Sequence, residues 1–354
     1  MHDLPQVPLP DDEMREAALA RQLRLTKPAG ALGRLEELSG WASAVQGRCP
    51  PTRFQRPTVV IFAGDHGIAA TARTSAYPSE VTAQMVLNFI AGGAAVNVLA
   101  RQAGVSVRVL DVSVDAEPDY LDAIAPEVAS HRIRRSSGSI DKEDALTSTE
   151  VHAAFELGRV IADQEIDSGA DLLIPGDMGI GNTTPAATLT GLLTKLDASK
   201  VTGMGTGIDD RTWMRKCAAV RDAMHRGRAD LGDPITLLAR VGGADLAAMT
   251  GFLLQASIRK TPVILDGTIS GACALVADRI DYRAKLWWLA GHRSTEPAHT
   301  AALNHLDLHP VIDYSMRLGE GTGALLALPV LQAATSLLAE MSTFDEAGVS
   351  EQDA

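Results

Sequence analysis

The strongest constraint on the fold is a short β-branched run, Thr58-Val59-Val60-Ile61-Phe62-Ala63, that stops at Gly64-Asp65-His66-Gly67. Such a run has no polar face. As a strand it must be covered on both sides, the situation of strands in a parallel sheet. Comparable runs recur at Val105–Val114, Leu172–Ile174, Pro262–Leu265 and Leu286–Ala290. Helical spacings separate them, over 81–102, 148–168 and 212–227. Strand alternating with helix predicts an α/β fold, a parallel sheet flanked by helices. The two ends are helical only: 14–25 and 32–45 before the first strand, and 324–341 at the other end. Pro329 is expected near the first turn of that last helix or at a kink. The expectation is a small helical domain built from both chain ends, 1–50 plus 324–354, beside an α/β domain, 51–323, that carries the active site. The tail after Ser342 reads as acidic and frayed.

Composition narrows the function. The chain has 354 residues, 46% of them apolar, enough for a large core without staples. Against 32 Lys and Arg stand 44 Asp and Glu, a net charge of −12. Nucleic acids and anionic membranes select basic surfaces, so neither is an expected partner. An anionic ligand would need a local site that works against the global field. The cysteines, Cys49, Cys217 and Cys273, show no paired spacing, which argues against a disulfide framework or zinc site and fits a reducing, cytoplasmic compartment. The first residues lack a basic start and an apolar stretch, and no segment approaches 18 uninterrupted apolar residues, so no signal peptide or membrane span is expected.

Gly176-Asp177-Met178-Gly179-Ile180-Gly181-Asn182-Thr183-Thr184-Pro185 lies between a strand and a helix. Its glycines let backbone N–H groups approach a ligand, Thr184 reads as a helix N-cap and Pro185 as the first helical residue. Free amides at a helix start after a buried strand make an anion site. The alternative is a tight turn with no ligand. A second glycine loop, Gly203-Met204-Gly205-Thr206-Gly207, precedes a helix with Lys216, which either completes that site or is an ordinary surface lysine. A third, Arg317-Leu318-Gly319-Glu320-Gly321-Thr322-Gly323, holds a carboxylate between glycines. With Leu318 beside it, Glu320 reads as a general base of raised pKa or as a surface-loop glutamate.

Asp65 and His66 end the first strand on the same sheet edge, as an acid–base pair or as a hydrogen-bonded strand end. His292, Glu296 and His299 are possible ligands, but Pro297 and the seven-residue histidine spacing argue against metal. Met85, with Phe89 and Leu99 on one predicted helix, reads as core. A dinucleotide-dependent oxidoreductase would need GxGxxG directly after the first strand. The chain has Gly-Asp-His-Gly there.

Seven segments together resemble one family: KPAGALGRLEEL (27–38), AGDHGIA (63–69), SAYPSEVTAQ (75–84), GDMGIGNTTPAA (176–187), RVGGADLAAMTG (240–251), PVILDG (262–267) and MRLGEGTGALLALP (316–329). Their order and spacing are similar to those of the nicotinate-nucleotide:dimethylbenzimidazole phosphoribosyltransferases of cobalamin lower-ligand assembly.

The resemblance implies a homodimer with a Rossmann-like sheet. It also implies transfer of phosphoribose from nicotinate mononucleotide to 5,6-dimethylbenzimidazole, giving α-ribazole 5′-phosphate and nicotinate without cofactor or metal. Glu320 falls on the family's general base and Lys216 on its phosphate-binding lysine. Gly176, Asp177, Met178, Gly179, Gly181, Asn182, Thr183 and Thr184 fall on the loop that cradles the mononucleotide. The expected substrate-binding set further takes in Gly205, Asp65, Tyr77, Met85, Leu318, Gly319 and Gly321. Relatives often carry glutamate where Asp177 stands, and some carry a small hydroxyl residue where Tyr77 stands. A different acceptor, such as adenine or a phenolic, and a non-catalytic nucleotide-binding relative are the readings left beside this one.

Overall fold

The structure, a computed structural model, describes residues 4–350. All five predicted runs form strands: β1 (Pro57–Gly64), β2 (Ser106–Ser113), β3 (Leu172–Met178), β4 (Val263–Leu265) and β5 (Trp288–Ala290). They pair in parallel in the order β2-β1-β3-β4-β5. Every residue of β1 is buried, as an apolar run without a polar face requires. Phe62 meets Phe252 edge to face, ring centroids 5.3 Å apart.

Helices cover the sheet. α1 (Asp12–Arg24) and α2 (Arg34–Gln46) precede it, and α3 (Glu80–Ala91) and α4 (Ala95–Ala103) join β1 to β2. α5 (Ser148–Asp167) joins β2 to β3. α6 (Thr183–Thr194), α7 (Asp210–Gly227) and α8 (Ala244–Ile258) lie between β3 and β4, with α9 (Thr268–Ile280) between β4 and β5. α10 (Pro297–Leu306) and α11 (Thr322–Glu340) follow β5. From β1 the chain runs outward to β2, then returns past β1 to β3. That reversal opens a crevice at the C-terminal ends of β1 and β3, where open α/β sheets bind ligands.

Local details depart from the expectations. The helix predicted over 81–102 is two helices, because Gly92 turns left-handed (φ 78°) and the Asn97 side chain bridges the break between Ala94 N–H and the Phe89 carbonyl. α11 runs through Pro329 in its interior rather than placing it in the first turn. The tail holds structure beyond Ser342: Thr343 caps a helical turn, Phe344–Ala347, and bridges to Leu25. The chain ends meet where Ala18 and Leu25 bury against Leu338. Among the described residues two stretches, Glu80–Ala103 and Thr322–Glu340, are long and apolar enough to cross a membrane. The second turns Leu325, Leu328 and Leu331 into the core.

Candidate active site

The segment after β1 and the C-terminal edges of β3, β4 and β5 open onto a cavity of about 800 Å³. β3 delivers Asp177 and Met178 to it. The chain then turns through Gly179, Ile180 and Gly181, and α6 begins at Thr183 with Asn182 as N-cap. The helix starts earlier than the predicted cap at Thr184, because left-handed Gly181 (φ 95°) reverses the chain and its carbonyl already accepts from Thr184 N–H. Gly179, Gly181, Asn182 and Thr183 line the cavity, and Thr184 is buried off it. Asn182 Nδ2 donates to Asp177 Oδ2 at 3.0 Å.

Lys216 stands behind this wall, 1% exposed. Its Nζ donates to Thr183 Oγ1 at 2.8 Å and to the Gly203 carbonyl at 3.2 Å. Gly205 lines the cavity directly above it. Burial pulls the ammonium from 10.5 down to about 8, against the pull of nearby Glu296. Glu296 Oε1 also accepts from Gly205 N–H at 2.8 Å, so one carboxylate ties the second glycine loop to the lysine. Lys216 is therefore no solvated surface residue.

Glu320 enters through a turn of unusual backbone. Gly319, Glu320 and Gly321 have φ of 87°, 64° and 90°, all left-handed. Glycine takes that conformation freely, whereas a glutamate must be held there. Thr322 binds the Gly319 carbonyl through both its N–H and its Oγ1, at 3.0 and 2.7 Å. Glu320 is 5% exposed, lines the cavity, and its Oε2 has no hydrogen-bond partner among the described residues. Burial lifts its carboxyl from 4.5 to about 7, the Val96 amide at the start of α4 opposing and Asp266 reinforcing. Asp177 is pushed well above 3.8 by burial and then by Asp266, with Glu320 a smaller cause.

Tyr77, Met85, Leu318 and Gly319 also line the cavity, with Tyr77 and Leu318 exposed at 55% each. Met85 thus lines the cavity while also packing against the core, as its helical spacing suggests. Gly176 and Gly321 support the Glu320 turn without lining the cavity. Asp65 is also off it. Its carboxylate accepts from Thr82 Oγ1 at 2.5 Å and Asp115 N–H at 2.8 Å, and Thr82 Oγ1 accepts from Ile180 N–H at 3.1 Å. Asp65 therefore braces the first glycine loop from behind. Its neighbour His66 pairs with buried Asp245 at 3.1 Å.

His292, Ser294, Glu296 and Thr268 line the cavity as well. The GHRSTEPAH segment invites a metal reading, but Glu296 binds an amide and His299 Nδ1 accepts from Ser294 N–H at 2.9 Å. Among the described residues no group of three or more His, Cys, Asp or Glu is placed to hold a metal ion. The Asp266-Gly267 pair at the end of β4 was a signal for Thr268, because it marks a strand end on the same sheet edge.

A switch-point cavity with amide-rich loops, a buried lysine behind them and a carboxyl of raised pKa has the make-up of an α/β enzyme site for phosphorylated small molecules. Residues 7–349 match the family model described as phosphoribosyltransferase. A nicotinate-nucleotide–dimethylbenzimidazole phosphoribosyltransferase of Mycolicibacterium paratuberculosis is 57% identical over 345 residues, 98% of this chain and 97% of that protein. Its namesake in Mycobacterium marinum is 58% identical over 341 residues, 96% of this chain and 94% of that protein. A crystal structure of the Thermus thermophilus enzyme superposes with a TM-score of 0.89 at 42% identity, covering 97% of this chain and 100% of that one. The chain belongs to this phosphoribosyltransferase family.

Proposed function

We propose that the protein transfers phosphoribose from nicotinate mononucleotide to 5,6-dimethylbenzimidazole, releasing nicotinate and α-ribazole 5′-phosphate. The observation that carries the mechanism is Glu320: a carboxyl lifted to about 7, with an unpartnered oxygen, on the cavity wall. Such a group takes a proton at neutral pH and gives it up again.

The donor's pyridinium nitrogen bears a positive charge, so the C1′–N bond breaks with its electron pair leaving on a neutral pyridine ring. The acceptor is a weak nucleophile while its ring N–H remains. Glu320 takes that proton, the opposite ring nitrogen forms the new bond to C1′, and the configuration inverts from β to α. The proton then passes from Glu320 to solvent. The phosphate lies against the amides of the first glycine loop and the start of α6, with Lys216 behind, whose ammonium has an N–H beyond the two already bonded. Tyr77, Val81, Met85 and Met178 offer apolar surface to a flat acceptor ring.

Incubating the protein with nicotinate mononucleotide and 5,6-dimethylbenzimidazole, and measuring nicotinate and ribazole phosphate together, tests the reading. No nicotinate release sinks it, and release with adenine or a phenolic alone reassigns the acceptor. A second copy as partner belongs to the same proposal: light scattering at one chain mass in solution would remove it.

A further inference from the structure

The first helical amides of α11 are capped from far away in the sequence. Gly321, the N-cap, has no side chain, and its left-handed backbone disfavours the usual Ser, Thr or Asp. Asp266, at the end of β4 and 0% exposed, supplies the missing acceptor. Its Oδ2 accepts from Gly321 N–H at 3.1 Å, and its Oδ1 from Gly323 and Ala324 N–H at 2.8 and 3.1 Å. These bonds hold the backbone on the C-terminal side of Glu320, while Gly176 of β3 packs against the Glu320 carbonyl. A local cap would have served the helix alone. Giving the N-cap to glycine lets Glu320 turn into the cavity and moves the capping carboxylate to the sheet.

We propose that Asp266 is a positioning residue for the reaction: by binding these amides it holds Glu320 in its left-handed turn and so aims the base. The inference rests on Glu320 being the base. The charged and polar groups that face this pair are Asp177 from β3, the Val96 amide of α4, and His292, whose Nε2 lies 3.6 Å from Asp266 Oδ1. Asp266 also pushes Glu320 toward its protonated form, so removing that charge moves the acid limb of the pH profile to lower pH.

Asp266→Asn keeps the shape but offers an NH₂ group where one carboxylate oxygen accepts. The expected result is a kcat lowered about 10- to 100-fold, a KM for nicotinate mononucleotide within about threefold of the original, and an acid limb of kcat shifted to lower pH. A purely structural cap would lower the folded fraction and leave kcat per folded enzyme near the original, while the limb, which follows the lost charge, moves in either case. Unchanged kcat per folded enzyme, in a variant that unfolds cooperatively, overturns the proposal. Should the variant fail to fold, hydrogen exchange on the unaltered protein decides. The amides of Gly321, Gly323 and Ala324 are expected to exchange far more slowly than those of Tyr314 and Ser315, and equal rates overturn it. Glu320→Gln assayed in parallel separates the two claims: turnover retained there removes the base itself, whereas turnover lost there and kept in Asp266→Asn removes the positioning alone.

Discussion

A Cβ on Gly176 would lie 2.6 Å from the carbonyl oxygen of Glu320. The central strand and the Glu320 turn therefore meet backbone to backbone, with no room for a side chain between them. Gly176→Ala must push the turn away. Turnover is expected to fall about 10- to 100-fold through misplacement, and stability by about 1–3 kcal/mol through overpacking. Steady-state kinetics and thermal unfolding read the two effects, and full kcat in the Gly176→Ala variant would show that the contact does not set the position of the carboxylate.

Glu320→Gln removes the proposed proton acceptor and keeps the shape. Turnover is expected to drop about 10²- to 10⁴-fold, while nicotinate mononucleotide binds with nearly its original Kd. Calorimetric titration of the donor beside the turnover assay checks both. Retained turnover in the glutamine variant contradicts the role.

The same substitution has a stability signature. Glu320 has a carboxyl near 4.5 in the unfolded chain and near 7 in the fold. The folded protein holds this proton more tightly, so the group's contribution is complete below about 4.5 and is lost as pH rises through about 7. At pH 8 the buried carboxylate is a liability that glutamine lacks. The variant is expected to melt about 1–4 °C higher than the original at pH 8 and to lose that advantage at pH 4.5. A variant melting below the original at pH 8 would mean that Glu320 is stabilised as an anion.

Lys216→Met keeps most of the buried stem and deletes the charge. The donor KM is expected to rise about 10- to 100-fold, as loss of a charge-assisted hydrogen bond implies, with kcat changed less. Alanine is the poorer probe, since it would empty a site that is 1% exposed. An unchanged donor KM rules out the phosphate role.

The sheet was legible in the chain because five apolar runs without a polar face admit few other fates. The glycine loops were legible too, since glycines at strand ends mark where a backbone can approach a ligand. What periodicity could not show was which side of a helix faces a cavity. Met85 has the spacing of a core residue and lines the cavity, and Lys216 has the look of a surface lysine and is buried behind it. Asp65 stands in a conspicuous motif, yet its carboxylate is used up on Thr82 and Asp115. Asp266 was visible at the end of an apolar run, but its capping role was not, because a cap supplied from 55 residues upstream leaves no local signature at Gly321.

The two perturbed groups together fix the pH dependence. In the proposed mechanism Glu320 acts ionised, which requires pH above about 7, and Lys216 holds the donor phosphate as a cation, which requires pH below about 8. The profile of kcat/KM for the donor is therefore expected to be a narrow bell with its maximum between those values. The alkaline limb belongs to the free enzyme. Once the phosphate is bound its charge keeps Lys216 protonated, so the alkaline limb of kcat should lie at higher pH than that of kcat/KM. Lys216→Met should abolish the alkaline limb and leave the acid limb in place. An alkaline limb that survives in that variant assigns it to another group, and a kcat/KM that is flat from pH 6 to 9 contradicts both assignments at once.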